Sequence, residues 1–256
     1  MYLSDSGEVE LKGGSRVAFF GGSFDPPHCG HLAVARAARD AFGLDAVLFA
    51  PVGAQPLKPD GSCASFEDRV AMTRLAIQGE AGFALSLIDA PRTWAEQASS
   101  PNYTIDTMVK LRADLGSDCE LYCLMGADSF WGLRRWHRAA ELPFLAPLIV
   151  AARPGQPLDR LQEALPDGLK LSTAPESDQV VSGVEVRTFG LMNTNGARVS
   201  FYMLPGLDVA ISATEIREAA MSALSGQPYG ARNGGAGEEV LPAAVAEYIR
   251  SHGLYR

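Results

Sequence analysis

Two histidines three positions apart are the side chains of this sequence best placed for chemistry. His28 and His31 end the stretch VAFFGGSFDPPHCGH, residues 17–31. The stretch opens with an apolar run that has the length and composition of a buried strand. A pair of glycines and a pair of prolines then require a sharp turn, so the histidines lie beyond the end of that strand.

A helix is predicted to begin at these histidines. From Gly30 the sequence reads GHLAVARAARDAFG, in which apolar residues recur three and four positions apart, as on one face of a helix. Gly43 stands where a helix C-cap is expected. His28 and His31 therefore lie at a helix N-terminus and can point at the same group.

This arrangement suits a phosphate. A helix N-terminus offers unpaired N–H groups and partial positive charge, and Gly21 and Gly22 let an anion approach the backbone. Each imidazole that donates to a phosphoryl oxygen stabilises the transition state by roughly 3 kcal/mol. Two other interpretations stay open: the histidines cap the helix or lie on its surface, or they bind zinc. For zinc, no Cys or acidic residue stands at a recognised companion spacing.

Length and composition fit an ordinary globular protein. The chain has 256 residues, 47% of them hydrophobic, and a net charge of −8. That charge argues against a broad nucleic-acid-binding face, which needs a basic patch. No apolar stretch approaches a membrane span, and residues 1–15 lack the apolar core of a signal peptide. We therefore expect a cytoplasmic protein without a membrane or nucleic-acid partner.

Alternating strand-like and helical patterns predict an α/β fold. Apolar runs lie at residues 17–20, 46–50, 83–87, 120–125 and 147–151. The alternation predicts a doubly wound, Rossmann-like parallel sheet flanked by helices, with a C-terminal helical segment. Ligands of such a sheet bind beyond the carboxyl ends of its strands, where the glycine-rich turn lies.

A single domain is expected from residue 16 to residue 256, after a flexible extension over residues 1–15. Proline, glycine and polar residues interrupt the pattern at residues 156–197 and 225–238, which indicates variable insertions rather than a second domain. Residues 198–204 are predicted to form a further strand. The sequence gives no basis for an oligomeric state.

The segment at the histidines resembles a family signature. Residues 21–31, here called the histidine loop, read Gly21-Gly22-Ser23-Phe24-Asp25-Pro26-Pro27-His28-Cys29-Gly30-His31. This loop resembles a signature of the bacterial nicotinate-nucleotide adenylyltransferases. These are nucleotidyltransferases with a His-x-Gly-His element. The resemblance implies transfer of AMP from ATP to nicotinate mononucleotide, which gives nicotinate adenine dinucleotide (deamido-NAD) and pyrophosphate in NAD biosynthesis.

In that family the histidine loop and a second signature bind ATP. The segment from Ile211 to Arg217 is similar to Ile-Ser-Ser-Thr-x-Ile-Arg, with Ala213 in place of the second serine. Gly126 to Asp128 resembles a Gly-x-Asp segment whose aspartate meets the ATP ribose. The ATP-binding residues that the resemblance implies are Gly21, Gly22, Ser23, Phe24, His28, His31, Gly126, Asp128, Ser212, Thr214 and Arg217.

The resemblance also implies a site for nicotinate mononucleotide. Trp136 matches a tryptophan that stacks on the nicotinate ring, and a flat, electron-poor ring suits an indole; Trp131 competes for this role. Tyr103 and Thr104 open a predicted helix that resembles the segment reading the nicotinate carboxylate. The implied residues are Ser23, Lys58, Tyr103, Thr104, Trp136 and Arg153.

The implied reaction is a direct attack of the mononucleotide phosphate on the α-phosphorus of ATP, in which positioning and charge neutralisation do most of the catalysis. The expected catalytic residues are His28, His31, Lys58 and Arg217. Mg²⁺ is expected to bind with ATP, because no dedicated carboxylate cage is evident. Asp25 and Asp106 are further candidates that would act through water.

Two alternatives to this function remain. A sister adenylyltransferase that uses nicotinamide mononucleotide or phosphopantetheine would keep the histidine loop and change the acceptor pocket. A catalytically silent sensor would bind ATP through the same loop without turnover.

Overall fold

A computed structural model describes most of the chain. The described residues are 2–4, 7–9, 11, 13–57, 61–91, 101–152, 160–207, 213–217 and 240–255. None of the helices among these residues has the length and apolar character needed to cross a membrane.

Eleven strands form one sheet in the described part of the chain. They are β1 (Tyr2–Ser4), β2 (Gly7–Val9), β3 (Arg16–Gly22), β4 (Ala46–Pro51), β5 (Phe83–Leu85), β6 (Glu120–Gly126), β7 (Leu148–Ala151), β8 (Lys170–Leu171), β9 (Ser177–Val181), β10 (Val184–Met192) and β11 (Arg198–Leu204). The order across the sheet is β2-β1-β5-β4-β3-β6-β7-β11-β10-β8, and β9 pairs with β10. Six neighbouring strands in this order, β5-β4-β3-β6-β7-β11, run parallel to one another.

Helices connect these strands. They are α1 (Cys29–Phe42), α2 (Phe66–Ile77), α3 (Thr104–Leu115), α4 (Ala127–Trp131), α5 (Leu142–Leu145), α6 (Leu161–Ala164) and α7 (Ala243–His252). Residues 213–217 are also helical. Local sequence sets the ends of two of them. The Gly43 backbone adopts the left-handed conformation after α1, with φ 57°, and the Ser65 hydroxyl accepts the Asp68 N–H at the start of α2.

The chain changes direction across the sheet between β3 and β6. From β3 it proceeds outward to β4 and β5, and it then returns to β6 on the other side of β3. Adjacent connections therefore leave in opposite directions, which opens a crevice at the carboxyl ends of β3 and β6. The prediction of a doubly wound parallel sheet is confirmed, and the histidine loop lies at this crevice.

Both faces of the sheet are covered, which explains the continuous apolar runs. On β3, Val17 and Phe19 belong to the core beneath α3, whereas Ala18 and Phe20 belong to the core beneath α1. Met108 of α3 is fully buried in the first of these cores. The packing of the two helices thereby fixes where their N-terminal ends meet the crevice.

Two segments contain strands that the sequence pattern does not predict. The expected insertion over residues 156–197 contains β8, β9 and β10, and β10 extends the sheet antiparallel to β11. Many β10 side chains are only half buried, so the segment carries no clear apolar alternation. Within the expected N-terminal extension, β1 pairs with β5 at the edge of the sheet. The domain boundaries themselves stay a prediction.

Truncation of Met108 should weaken the packing of α3 on the sheet. Met108 is fully buried, so Met108→Ala should lower the free energy of unfolding by about 2–5 kcal/mol. The adjacent Val109 is 47% exposed, so Val109→Ala should cost no more than about 0.5 kcal/mol. Urea denaturation measures both values, and equal losses would show that α3 is not anchored through Met108.

Candidate functional site

A cleft of about 790 Å³ opens at the carboxyl ends of β3 and β6. Its walls come from the histidine loop, the loop after β4, the start of α3, the segment after β6 and residues 213–217. A volume of this size is in the upper part of the range for small-molecule sites. The predicted position of the site, at the point where the sheet order reverses, agrees with this cleft.

Most residues singled out from the sequence line this cleft. They are Gly21, Gly22, Ser23, Phe24, His28, His31, Tyr103, Thr104, Gly126, Asp128, Trp136, Thr214 and Arg217. Lys58, Arg153 and Ser212 lie outside the described residues. The assignment of each residue to one of the two nucleotides stays a prediction.

The two tryptophans differ in placement. Among the described residues that line the cleft, Trp136 is present and Trp131 is not. Both tryptophans pack partly on the apolar core, and the ring centroid of Trp131 lies 6.0 Å from that of Phe130. Trp136 is therefore the better placed of the two to stack on a bound ring.

Aromatic rings under the histidine loop set its path. Phe24 is 1% exposed, and its backbone is left-handed with φ 47°, which is uncommon for a residue other than glycine. A Cβ on Gly21 would lie 2.7 Å from the ring of Phe19, and one on Gly22 would lie 3.3 Å from the ring of Phe24. The two glycines thus have a packing role beside the anion approach predicted from the sequence.

His28 and His31 lie against each other at the start of α1. Their ring centroids are 3.8 Å apart, and the His28 N–H donates to Nδ1 of His31 over 3.2 Å. A neutral His31 that accepts at Nδ1 carries its proton on Nε2, which can then donate to an anion. The sequence prediction that both histidines share one face is confirmed.

The aromatic surroundings keep His31 neutral. The ring of Phe24 is centred 5.0 Å from the His31 ring, and that of Phe20 is 6.0 Å away. Burial lowers the pKa of His31 well below its ordinary value, and the adjacent His28 lowers it further. An anion bound at His31 would offset both effects.

A buried carboxylate fixes the middle of the histidine loop. Asp25 is 4% exposed, and its two oxygens accept hydrogen bonds from the backbone N–H of Cys63 (2.7 Å) and of Ala64 (3.1 Å). The hydroxyl of Tyr255 donates a third, over 2.8 Å. The sequence suggests that Asp25 acts in catalysis through water. In the structure its oxygens accept hydrogen bonds from these protein donors, which gives Asp25 a structural role.

Arginines hold the loop backbone on either side. The guanidinium of Arg69 is 2% exposed and donates to the Ser23 carbonyl over 2.7 Å. Burial lowers the pKa of Arg69, and Asp25 opposes that effect. Arg217 donates to the Asp25 carbonyl over 2.8 Å and to the Thr214 hydroxyl over 3.2 Å. The two sequence signatures are therefore in direct contact.

Asn102 joins three segments that line the cleft. Its side-chain oxygen accepts the Ala54 N–H over 3.0 Å, and its amide nitrogen donates to the Ala90 carbonyl over 3.1 Å. Asn102 is 4% exposed, so these hydrogen bonds are shielded from water. They connect the loop after β4 and the turn after β5 to the start of α3, where Tyr103 and Thr104 lie.

Several cleft residues escaped the sequence reasoning. Asp89 is 3% exposed and accepts a hydrogen bond from the hydroxyl of Thr107. The ring of His137 packs against that of Tyr103, with centroids 4.4 Å apart and the ring planes tilted by 35°. The position of His137 directly after Trp136 was the one signal that could have identified it; Asp89 follows a short strand with no motif around it. Asp106 is not among the described residues that line the cleft.

The described residues offer no third metal ligand beside the histidine pair. Within them, no group of three or more His, Cys, Asp and Glu side chains is arranged to hold an ion. The arrangement of His28 and His31 fits two donors directed at one anion.

The lowered pKa of His31 should make the stability of the ligand-free protein depend on pH. In the unfolded chain His31 regains a pKa of about 6.5, so the unfolded state binds more protons than the folded state. The free energy of unfolding should therefore fall as the pH falls below about 7. Urea denaturation at neutral and at mildly acidic pH should show a smaller loss for His31→Asn than for the wild type. Equal losses would contradict a buried, neutral His31.

Comparison with known proteins identifies the family of this chain. A family model for cytidylyltransferase-like proteins matches residues 19–219. The "Probable nicotinate-nucleotide adenylyltransferase" of Gloeobacter violaceus is 38% identical over 242 residues, which cover 94% of this chain and 97% of that protein. The protein of the same name from Aeromonas hydrophila is 36% identical over 240 residues, which cover 94% and 97%.

Solved structures share the fold. The nicotinic acid mononucleotide adenylyltransferase of Plasmodium falciparum, complexed with NaAD, superposes with a TM-score of 0.60 at 16% identity, over 94% of this chain and 97% of that one. The same protein complexed with APC superposes with a TM-score of 0.57 at 15% identity, over the same shares. Because the sequence relatives match nearly the whole chain at more than 30% identity, this chain belongs to the nicotinate-nucleotide adenylyltransferase family of cytidylyltransferase-like proteins.

Proposed function

We propose that this protein transfers AMP from ATP to nicotinate mononucleotide, giving nicotinate adenine dinucleotide and pyrophosphate in NAD biosynthesis. The observation that carries the proposal is that one cleft is lined both by the histidine pair and by Trp136 and the start of α3. A nucleotidyl transfer needs a phosphate site and an acceptor site within reach of each other. The names of the sequence relatives support the same reaction. A cytoplasmic location stays a prediction.

The histidine side of the cleft is assigned to ATP. Nε2 of His31 donates to a phosphate oxygen, and His28 lies close enough to contact the same phosphate. Thr214 and Arg217 line the cleft nearby and contact the phosphates further out. These donors are already held by protein contacts, so little reorganisation is needed when charge builds up. Lys58 and Ser212 are proposed to assist them, and Gly126 and Asp128 to bind the ribose.

The side of the cleft formed by Trp136 and the start of α3 is assigned to the mononucleotide. Trp136 stacks on the pyridine ring, and the hydroxyl and backbone N–H of Thr104, at the first turn of α3, donate hydrogen bonds to the nicotinate carboxylate. Free N–H groups and the positive end of α3 favour a carboxylate over an amide there. Ser23 and Arg153 are proposed to contact the mononucleotide as well.

The chemical step is a direct displacement. An oxygen of the mononucleotide phosphate bonds to the α-phosphorus of ATP, while the bond from that phosphorus to the bridging oxygen of pyrophosphate breaks. The displaced electron pair leaves with pyrophosphate, whose charge the histidines and Arg217 stabilise. No covalent link to the protein forms.

Mg²⁺ is proposed to enter with ATP as part of the substrate. A hard cation of this kind binds phosphate oxygens and keeps several waters, so it needs few protein ligands. The described residues that line the cleft include Asp25, Asp89 and Asp128, but these three carboxylates are not arranged around one point as the ligands of an ion would be. This lining fits a Mg²⁺ ion that is held mainly by the phosphates of ATP.

An acceptor panel tests the function. Pyrophosphate release should be fastest with nicotinate mononucleotide, judged by kcat/KM against nicotinamide mononucleotide and phosphopantetheine. A higher kcat/KM for either of the other acceptors would identify a sister adenylyltransferase. ATP binding without pyrophosphate release from any acceptor would identify a sensor.

Substitution of Trp136 tests the acceptor site. Because ring stacking contributes about 0.5–1.5 kcal/mol, Trp136→Ala should raise the KM for nicotinate mononucleotide roughly two- to twelvefold. The KM for ATP should stay the same. Trp131→Ala is the matched control, because both tryptophans pack against the same apolar core and, of the two, only Trp136 lines the cleft. If Trp136→Ala raised both KM values equally, Trp136 would act through its packing on the core and not by stacking on the pyridine ring.

A further inference from the structure

We propose that Tyr255 is a positioning residue for AMP transfer: through Asp25, its hydroxyl holds the histidine loop in the geometry that binds ATP. The inference rests on the proposed function and concerns a residue outside both ATP signatures. Tyr255 lies 230 positions after Asp25 in the sequence.

The contact completes the hydrogen bonding of a buried charge. Asp25 is 4% exposed, and Tyr255 supplies one of three donors to its carboxylate, beside the N–H groups of Cys63 and Ala64. A buried carboxylate that loses a donor costs free energy that it recovers by moving toward another donor or toward water. Loss of the Tyr255 hydroxyl therefore displaces Asp25.

A displaced Asp25 changes the ATP site because its main chain is part of that site. Asp25 lies between Phe24, whose ring packs on His31, and His28. Its carbonyl also accepts the hydrogen bond from Arg217. Movement of this one residue thus disturbs both the histidine pair and the arginine assigned to the phosphates.

The segment that carries Tyr255 contacts the histidine loop at a second point. The carbonyl of Val240, just before α7, accepts the N–H of Cys29 over 3.1 Å. Between the two contacts, Val245 and Ile249 of α7 are buried against α2. A rigid helix therefore holds both contacts at a fixed spacing, and Tyr255 and Val240 bracket the part of the loop from Asp25 to Cys29.

The hydroxyl is suited to act as a permanent donor. Burial raises the pKa of Tyr255, and the charge of Asp25 raises it further. The proton therefore stays on the phenol through the neutral range, and the hydrogen bond to Asp25 persists.

Tyr255→Phe removes only the hydroxyl and tests the proposal. We expect a roughly tenfold lower kcat and a several-fold weaker ATP affinity, since small misplacements of catalytic groups have large effects on rate. The matched control is Tyr248→Phe, because the Tyr248 hydroxyl also donates to an aspartate, Asp68, over 3.0 Å, at the contact between α7 and α2. Asp68 is only half buried, so Tyr248→Phe should cost less stability than Tyr255→Phe, and it should leave kcat and ATP affinity unchanged.

A double-mutant cycle shows whether the effect passes through Asp25. The double variant Tyr255→Phe, Asp25→Asn should have the kcat of Asp25→Asn alone.

Calorimetric titration with ATP tests the positioning role without turnover. If the wild type bound ATP but formed no dinucleotide, the proposed function would fail, while a weaker ATP affinity of Tyr255→Phe would still support the positioning role. Three results would overturn the positioning role of Tyr255: unchanged ATP affinity and kcat in Tyr255→Phe, losses of ATP affinity and kcat equal to those of Tyr248→Phe, or effects on kcat that add to those of Asp25→Asn.

Discussion

The burial of a single carboxylate constrains most of the candidate site. Asp25 lies inside the protein in the middle of the histidine loop, and a charge in that position is tolerated only with several hydrogen-bond donors around it. The donors come from the segment just before α2 and from the segment after α7, and the Asp25 carbonyl accepts a hydrogen bond from Arg217. Segments far apart in the sequence must therefore meet at this loop, and their contacts shape the part of the cleft that we propose binds phosphate.

In the part of the cleft that we propose binds the acceptor, a neutral side chain has a similar structural role. Asn102 satisfies backbone groups of two loops and sets the beginning of α3, while the apolar core fixes the direction of the helix. The sheet thus provides a crevice where its strand order reverses, and buried polar hydrogen bonds decide what that crevice can bind. Donors that are held before the substrate arrives are those that stabilise a charged transition state most.

Local patterns in the sequence predicted the parts of this architecture that depend on local rules. Five of the six parallel strands, β3 to β7, are mostly buried and read as apolar runs, and Gly43 marks the end of α1. The hydrogen bonds of Tyr255 with Asp25 and of Asn102 with Ala54 could not be predicted. They join residues distant in the sequence, and no periodic pattern accompanies them. The half-buried strand β10 escaped prediction for a related reason, since its exposed and buried residues do not alternate regularly.

The most direct test is a structure of the protein in complex with a non-hydrolysable ATP analogue and nicotinate mononucleotide. We predict phosphate oxygens within hydrogen-bond distance of His28, His31 and Arg217, and the pyridine ring against Trp136. We also predict that the Asp25 carboxylate keeps its hydrogen bond from Tyr255. Phosphates bound away from the histidine pair, with the histidine loop unchanged, would contradict these predictions.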